Sequence, residues 1–208
     1  MQNDYDIVRL VRPVDESDHV RGAVTSAATL VEYGDYECPH CQALHPIMQE
    51  LIKRSDGLRF VYRHFPLSKF HPHAARAAQA AEAAAAQGRF WEMHDLLFKQ
   101  TQPLDDDRLT KLARKAGLDL DRYRQEMADG IYTARIDEAY NSALFGGGVT
   151  GTPTIYLNEV QISRVHNLEE LCDVVTAAGA TLTSESAEKP SWLSKFRSSK
   201  FGRTANSA

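Results

Sequence analysis

The chain has 208 residues, 43% of them apolar and 25% charged, with a formal net charge of −4. That length suits one sizeable domain or a domain with a large insertion, and the balance is that of an ordinary globular protein. The acidic excess argues against nucleic acid, which calls for a basic face, and no stretch approaches the apolar run of a membrane span. Residues 1–14 interleave Asp4, Asp6, Arg9 and Arg12 with apolar residues. They do not read as a secretory signal, so a chain starting at Met1 is expected in the cytoplasm.

Residues 1–27 are taken as a lead-in. Ala28 to Tyr33 is rich in apolar and β-branched residues and stops at Gly34, as a buried strand does. Cys38-Pro39-His40-Cys41 follows, and Leu44, Ile47, Met48 and Leu51 then recur at helical spacing. Pro39 suits the first helical turn, whereas Pro46 falls inside the helix and predicts a kink. Leu58 to Phe65 is a second strand, ended by Pro66, so the cysteines open a βαβ unit. The alanine-rich stretch from Pro72 to Gln87, then Arg89 to Gln100, predict two helices. A third is capped by Asp105, a fourth opens at Asp119 and a fifth spans Tyr132 to Phe145. Thr154 to Leu157 and Val160 to Ser163 form a hairpin about Asn158-Glu159, and Leu168, Leu171, Cys172 and Val175 mark a last amphipathic helix. From Thr181 the chain is rich in Ser, Lys and Arg and is set aside as a flexible tail. Trp192, Leu193 and Phe196 lie in it.

Three cysteines are too few for a structural framework, and two of them stand three residues apart. Cysteines at i and i+3 share a helix face and are near enough to bond. At a helix N-terminus the free N–H groups and the macrodipole stabilise an anion, so Cys38 is expected to be a thiolate at neutral pH. His40 can add a charge or a hydrogen bond to the same sulfur. A pKa near 4 would favour the thiolate by about 4 kcal/mol at pH 7, roughly 90 mV for a two-electron couple, and make the disulfide more oxidising. A substrate thiolate would attack an exposed Cys38 sulfur, and Cys41 or a second substrate thiol would resolve the mixed disulfide.

The competing chemistry for Cys-x-x-Cys is a zinc half-site. It lacks a second cysteine pair, and His45, His64, His71 and His73 form no recognised zinc pattern, so no metal and no cofactor are expected. Thr152-Pro153 precedes the third strand, in a loop that faces the cysteines in this topology. A cis bond there would leave neighbouring backbone groups free to pair with an extended substrate; a trans proline starting a strand is the alternative. Glu32 interrupts an apolar strand six residues before Cys38. Buried, it would hold a raised pKa and could shuttle the Cys41 proton; at an edge it would simply be solvated. Glu37 repels a thiolate yet suits a first helical turn. His71, His73 and His94 read as packing or capping residues, and Cys172 as a small core residue.

Taken together, these residues resemble the DsbA-like thiol oxidoreductases, a branch of the thioredoxin superfamily with a helical insertion. The resemblance covers roughly residues 28–178. It rests on Val31-Glu32-Tyr33-Gly34-Asp35-Tyr36-Glu37-Cys38-Pro39-His40-Cys41, on His64-Phe65-Pro66-Leu67, on Gly88-Arg89-Phe90-Trp91-Glu92-Met93-His94 and on Gly151-Thr152-Pro153-Thr154. It implies an α/β, thioredoxin-like fold made of 28–66 and 149–180, with 67–148 inserted between the βαβ unit and a C-terminal ββα unit. It also implies a nucleophilic Cys38, a resolving Cys41, a cis Pro153 and a buried acid at Glu32. The expected partners are thiol- or disulfide-containing proteins and a redox partner, without nucleic acid or membrane. A redox sensor or chaperone-like binding protein is a second reading. A glutathione-linked transferase or isomerase is a third, and Cys41 counts against it because such relatives usually carry serine and lack the second cysteine.

Overall fold

The computed structural model describes residues 8–22, 25–162 and 167–183. Five strands form the main sheet in the order β1 (His19–Gly22), β4 (Leu58–His64), β2 (Ala28–Gly34), β5 (Thr154–Leu157) and β6 (Val160–Ile162). β2 and β4 run parallel, with Glu32 opposite Tyr62 and Gly34 opposite His64. β5 lies antiparallel on the other side of β2 and places Ile155 beside Glu32. A crossover through α1 (Pro39–Arg54) joins the parallel pair, which gives the thioredoxin-like α/β architecture.

Strand alternation divides the core. Leu30, Phe60 and Tyr62 face α1, α7 (Leu168–Ala177) and the helical insertion, while Val31, Tyr33 and Val61 pack with Phe65, Ala143 and Val149 on the opposite face. Gly34 is required where it stands, because a Cβ there would lie 2.6 Å from Cε2 of the Tyr62 ring. The insertion comprises α2 (Ala74–Ala85), α3 (Phe90–Phe98), α4 (Asp106–Lys115), α5 (Leu120–Asp129) and α6 (Thr133–Asn141). Its hub is α2, whose buried alanines let α3, α4, α5 and α6 all approach. Asp105, Asp119 and Asn167 cap α4, α5 and α7 by accepting backbone N–H bonds.

Several boundaries differ from the sequence reading. The lead-in contributes β1, an edge strand held by pairing to β4, although His19-Val20-Arg21-Gly22 carries one apolar residue. The tail expected from Thr181 is overturned at its first residues, since Thr181–Leu182 form β7 and pair with β3 (Ser55–Asp56). Thr183 N also donates to Arg54 O at 2.7 Å. Residues 184–208, with Trp192, Leu193 and Phe196, lie outside the described residues, as do residues 1–7 and Ser163. α1 continues through Pro46 to Arg54. The fifth insertion helix changes at Ser142 into a π-helical turn, Ser142–Gly146, and its Ala143 packs on the main sheet. Asn158 and Glu159 both have positive φ, 46° and 69°, as a two-residue hairpin turn needs.

Candidate active site

Cys38 occupies the N-cap position of α1, with Pro39 directly after it and no side-chain cap. The sulfur therefore meets N–H groups that a Ser or Asp cap would otherwise take. Cys38 and Cys41 are both free thiols. Cys41 is fully buried and Cys38 is 4% exposed. The open sulfur expected from the sequence is thus a narrow opening, since the first turn of α1 and the Thr152 loop both close over it. Cys38 Sγ lies 3.4 Å from the Thr152 carbonyl oxygen, which accepts from the protonated thiol. The Thr152 hydroxyl is buried with no other partner and can donate to the sulfur once it ionises. The Thr152–Pro153 bond is cis.

The two thiols titrate in opposite directions. Cys38 is lowered to about 5, first by a hydrogen bond from the Cys41 thiol and then, against its own burial, by the Thr152 hydroxyl and the backbone N–H groups of Cys41 and His40. Burial pushes Cys41 well above the ordinary thiol range, and its hydrogen bond to Cys38 adds to the rise. Glu32 is 3% exposed. Burial, reinforced by the negative charge of Cys38, raises its carboxyl to about 8. One nearly buried sulfur lowered towards a thiolate, one fully buried thiol and one buried neutral acid thus stand together. His40 differs from expectation, because its ring is exposed and its support reaches Cys38 through the backbone.

Sequence reasoning missed two acids that hold this loop. Asp35 is buried and accepts from Glu37 N and Leu67 N, each at 2.8 Å, with His71 Nδ1 also 2.8 Å away. Glu37 accepts from His73 N at 2.8 Å and Leu104 N at 3.1 Å, tying the cysteine loop to the insertion. The signal for Asp35 was its place two residues before Glu37 in a turn, where Asp bonds to nearby backbone. Glu37, expected in the first helical turn, instead precedes the N-cap Cys38, and its anchoring role was not legible because its partners are 36 and 67 residues away. His94 is buried with Nδ1 3.1 Å from Tyr36 Oη, and Cys172 is partly buried against the core, as packing residues would be. A groove of about 340 Å³ runs beside the cysteine turn between Glu37, Gln42, Phe70 and Pro103, and Phe70 is 77% exposed.

The family model described as Thioredoxin matches residues 15–177. Among solved structures, a thioredoxin-like oxidoreductase from Silicibacter pomeroyi superposes with a TM-score of 0.70 and 28% identity, over 79% of this chain and 93% of that one. The thiol-disulfide exchange protein alpha-DsbA2 from Wolbachia pipientis (TM-score 0.68, 21% identity, 78% and 88% covered) shares the fold. So does BdbD from Bacillus subtilis (0.69, 22%, 83% and 98%). Two curated relatives are named Na(+)/H(+) antiporters. The one from Salinispora tropica is 42% identical over 88% of this chain, and the one from Salinispora arenicola 44% over 84%. The chain spans only 28% and 27% of their lengths.

Proposed function

The chain belongs to the thioredoxin family, and we propose that it is a DsbA-like thiol–disulfide oxidoreductase that exchanges disulfides with protein substrates through Cys38 and Cys41. The observation that carries the proposal is the placement of the pair, Cys38 at the N-cap of α1 and 3.4 Å from Thr152 O with Cys41 buried behind it. That placement lowers Cys38 to about 5 and raises Cys41 above its ordinary range. In the oxidising direction, a substrate thiolate attacks Cys38 Sγ of the Cys38–Cys41 disulfide. The S–S bond breaks, Cys41 leaves with the electron pair, and protonated Glu32 supplies the proton that this buried sulfur requires. A second substrate thiolate then attacks the substrate sulfur of the mixed disulfide. It expels Cys38 as a stable thiolate and leaves a substrate disulfide with two reduced cysteines. Two electrons pass from substrate to protein, and the stability of the Cys38 thiolate favours that direction.

Thr152 lies within reach of the reacting sulfur and is proposed to hold an extended substrate through its backbone. The groove flanked by Phe70, whose walls mix Pro72 and Pro103 with polar side chains such as Gln42 and Gln100, offers a surface for the rest of a polypeptide. Ion transport is not carried over from the Salinispora relatives, which match over little more than a quarter of their lengths. Among the described residues no helix is long and apolar enough to cross a membrane. The test is oxidation of a reduced dithiol peptide by the disulfide form, together with insulin reduction by the dithiol form. Both are expected with the unaltered protein and lost in Cys38→Ser. Equal rates in that variant would remove Cys38 from the chemistry.

A further inference from the structure

We propose that His19, His64 and Glu82 form a divalent transition-metal site of the zinc type, at the junction of β1, β4 and α2. The ligands come from the lead-in, the parallel strand pair and the hub of the insertion, so an ion would staple three separate segments. Glu82 Oε1 lies 2.7 Å from His19 Nε2 and 3.1 Å from His64 Nε2, and the three donor atoms fall within 4.8 Å of one another. Ligands at about 2.0–2.1 Å from a tetrahedral zinc stand about 3.3 Å apart. Admitting an ion therefore needs the His19–Glu82 contact to lengthen by about 0.6 Å and the His64–Glu82 contact by about 0.2 Å, shifts that side-chain torsions can supply.

The surroundings hold the donors ready. The His19 ring stacks on Phe90 at 3.5 Å between centroids and 10° between planes, which fixes its orientation. Arg135 Nε donates to Glu82 Oε2 at 2.9 Å. That bond occupies one carboxylate oxygen and aims the other at the imidazoles, as an outer-shell partner does. A cavity of about 100 Å³ opens on the same three residues and has room for a water as fourth ligand. Arg12, Arg63 and Arg135 line that cavity and oppose a dication, but Asp18 pairs with the first two and Glu82 with the third. The other imidazole–carboxylate group, His45, His94 and Asp95, is less suited. His94 Nδ1 is engaged with Tyr36 Oη, and His45 Nε2 stands 3.6 Å from Asp95 Oδ1.

The test uses the full chain with Cys38, Cys41 and Cys172 each replaced by serine, so that no thiolate can take the ion. After chelator treatment it is titrated with Co²⁺ and with Zn²⁺. One equivalent of Co²⁺ is expected, with the ligand-field bands of a low-coordinate nitrogen–oxygen site, and Zn²⁺ should raise Tm. His19→Gln, on the edge strand, should keep the apo circular dichroism spectrum and weaken binding by more than about 100-fold. Glu82→Gln should abolish binding, and His19→Gln serves alone should that variant not fold. Substoichiometric binding, or affinity unchanged in His19→Gln, would overturn the site and point to loose capture by surface histidines. Disulfide exchange by the unsubstituted protein would be unaffected by that failure.

Discussion

Glu32 and Glu82 are both buried glutamates, 3% and 4% exposed, yet their carboxyls behave in opposite ways. Burial and the Cys38 charge lift Glu32 to about 8, so it holds its proton at neutral pH. Burial pushes Glu82 upward too, but hydrogen bonds with His19 and His64 override it and hold the carboxyl well below the usual range. Exclusion from water thus sets the penalty on a charge, while the neighbours decide whether the charge survives. At Glu32 the result is a neutral buried carboxyl near the thiol pair. At Glu82 it is a fixed anion that joins β1, β4, α2 and, through Arg135, α6.

The sharpest way to break the contrast is at Cys38. Cys38→Ser should reduce exchange by roughly three orders of magnitude or more, measured by insulin reduction. It should also lower the Glu32 titration midpoint, followed by carboxyl NMR, because the neighbouring negative charge is gone. Next is Glu82→Leu, which strands His19, His64 and Arg135 and should destabilise the fold by about 3–5 kcal/mol in denaturant unfolding. Glu32→Leu should not weaken the fold. Glu32→Gln should slow exchange by about 10²-fold near neutral pH, with a smaller loss at high pH where the native acid is itself ionised.

The stability of the native protein carries the same signature. Between the ordinary carboxyl value of 4.5 and about 8, the folded Glu32 holds a proton that the unfolded chain has released. Stability present below 4.5 is therefore lost as pH rises through about 8, and Glu32→Gln should remove that fall. The smallest effect expected is at Gly34. An added methyl meets the Tyr62 ring beside Glu32, so Gly34→Ala should cost about 1–3 kcal/mol, read as a lower denaturation midpoint.

Much of the site was legible because it is local. Cys38, Pro39 and Cys41 lie within one helical turn, and Glu32 announces itself as the acid in an apolar strand. Thr152-Pro153 gained meaning only once topology placed it opposite the cysteines. What escaped depends on distant partners. Glu82 carries no local signal in its alanine-rich helix, since its imidazole partners are 63 and 18 residues away. β1 reads as polar chain because its strand state is imposed by the edge of β4. β3 and β7 are two residues each, too short for any periodicity to appear.

Exchange turns on the ionisation of the Cys38 thiol. Titrating the ultraviolet thiolate absorbance of the reduced Cys172→Ser protein, with Cys38 alkylation rates followed in parallel, reads it directly. A first midpoint near pH 5 with Cys41 silent through neutral pH is the predicted result. A first midpoint near the free-thiol value of about 8.5 would contradict it.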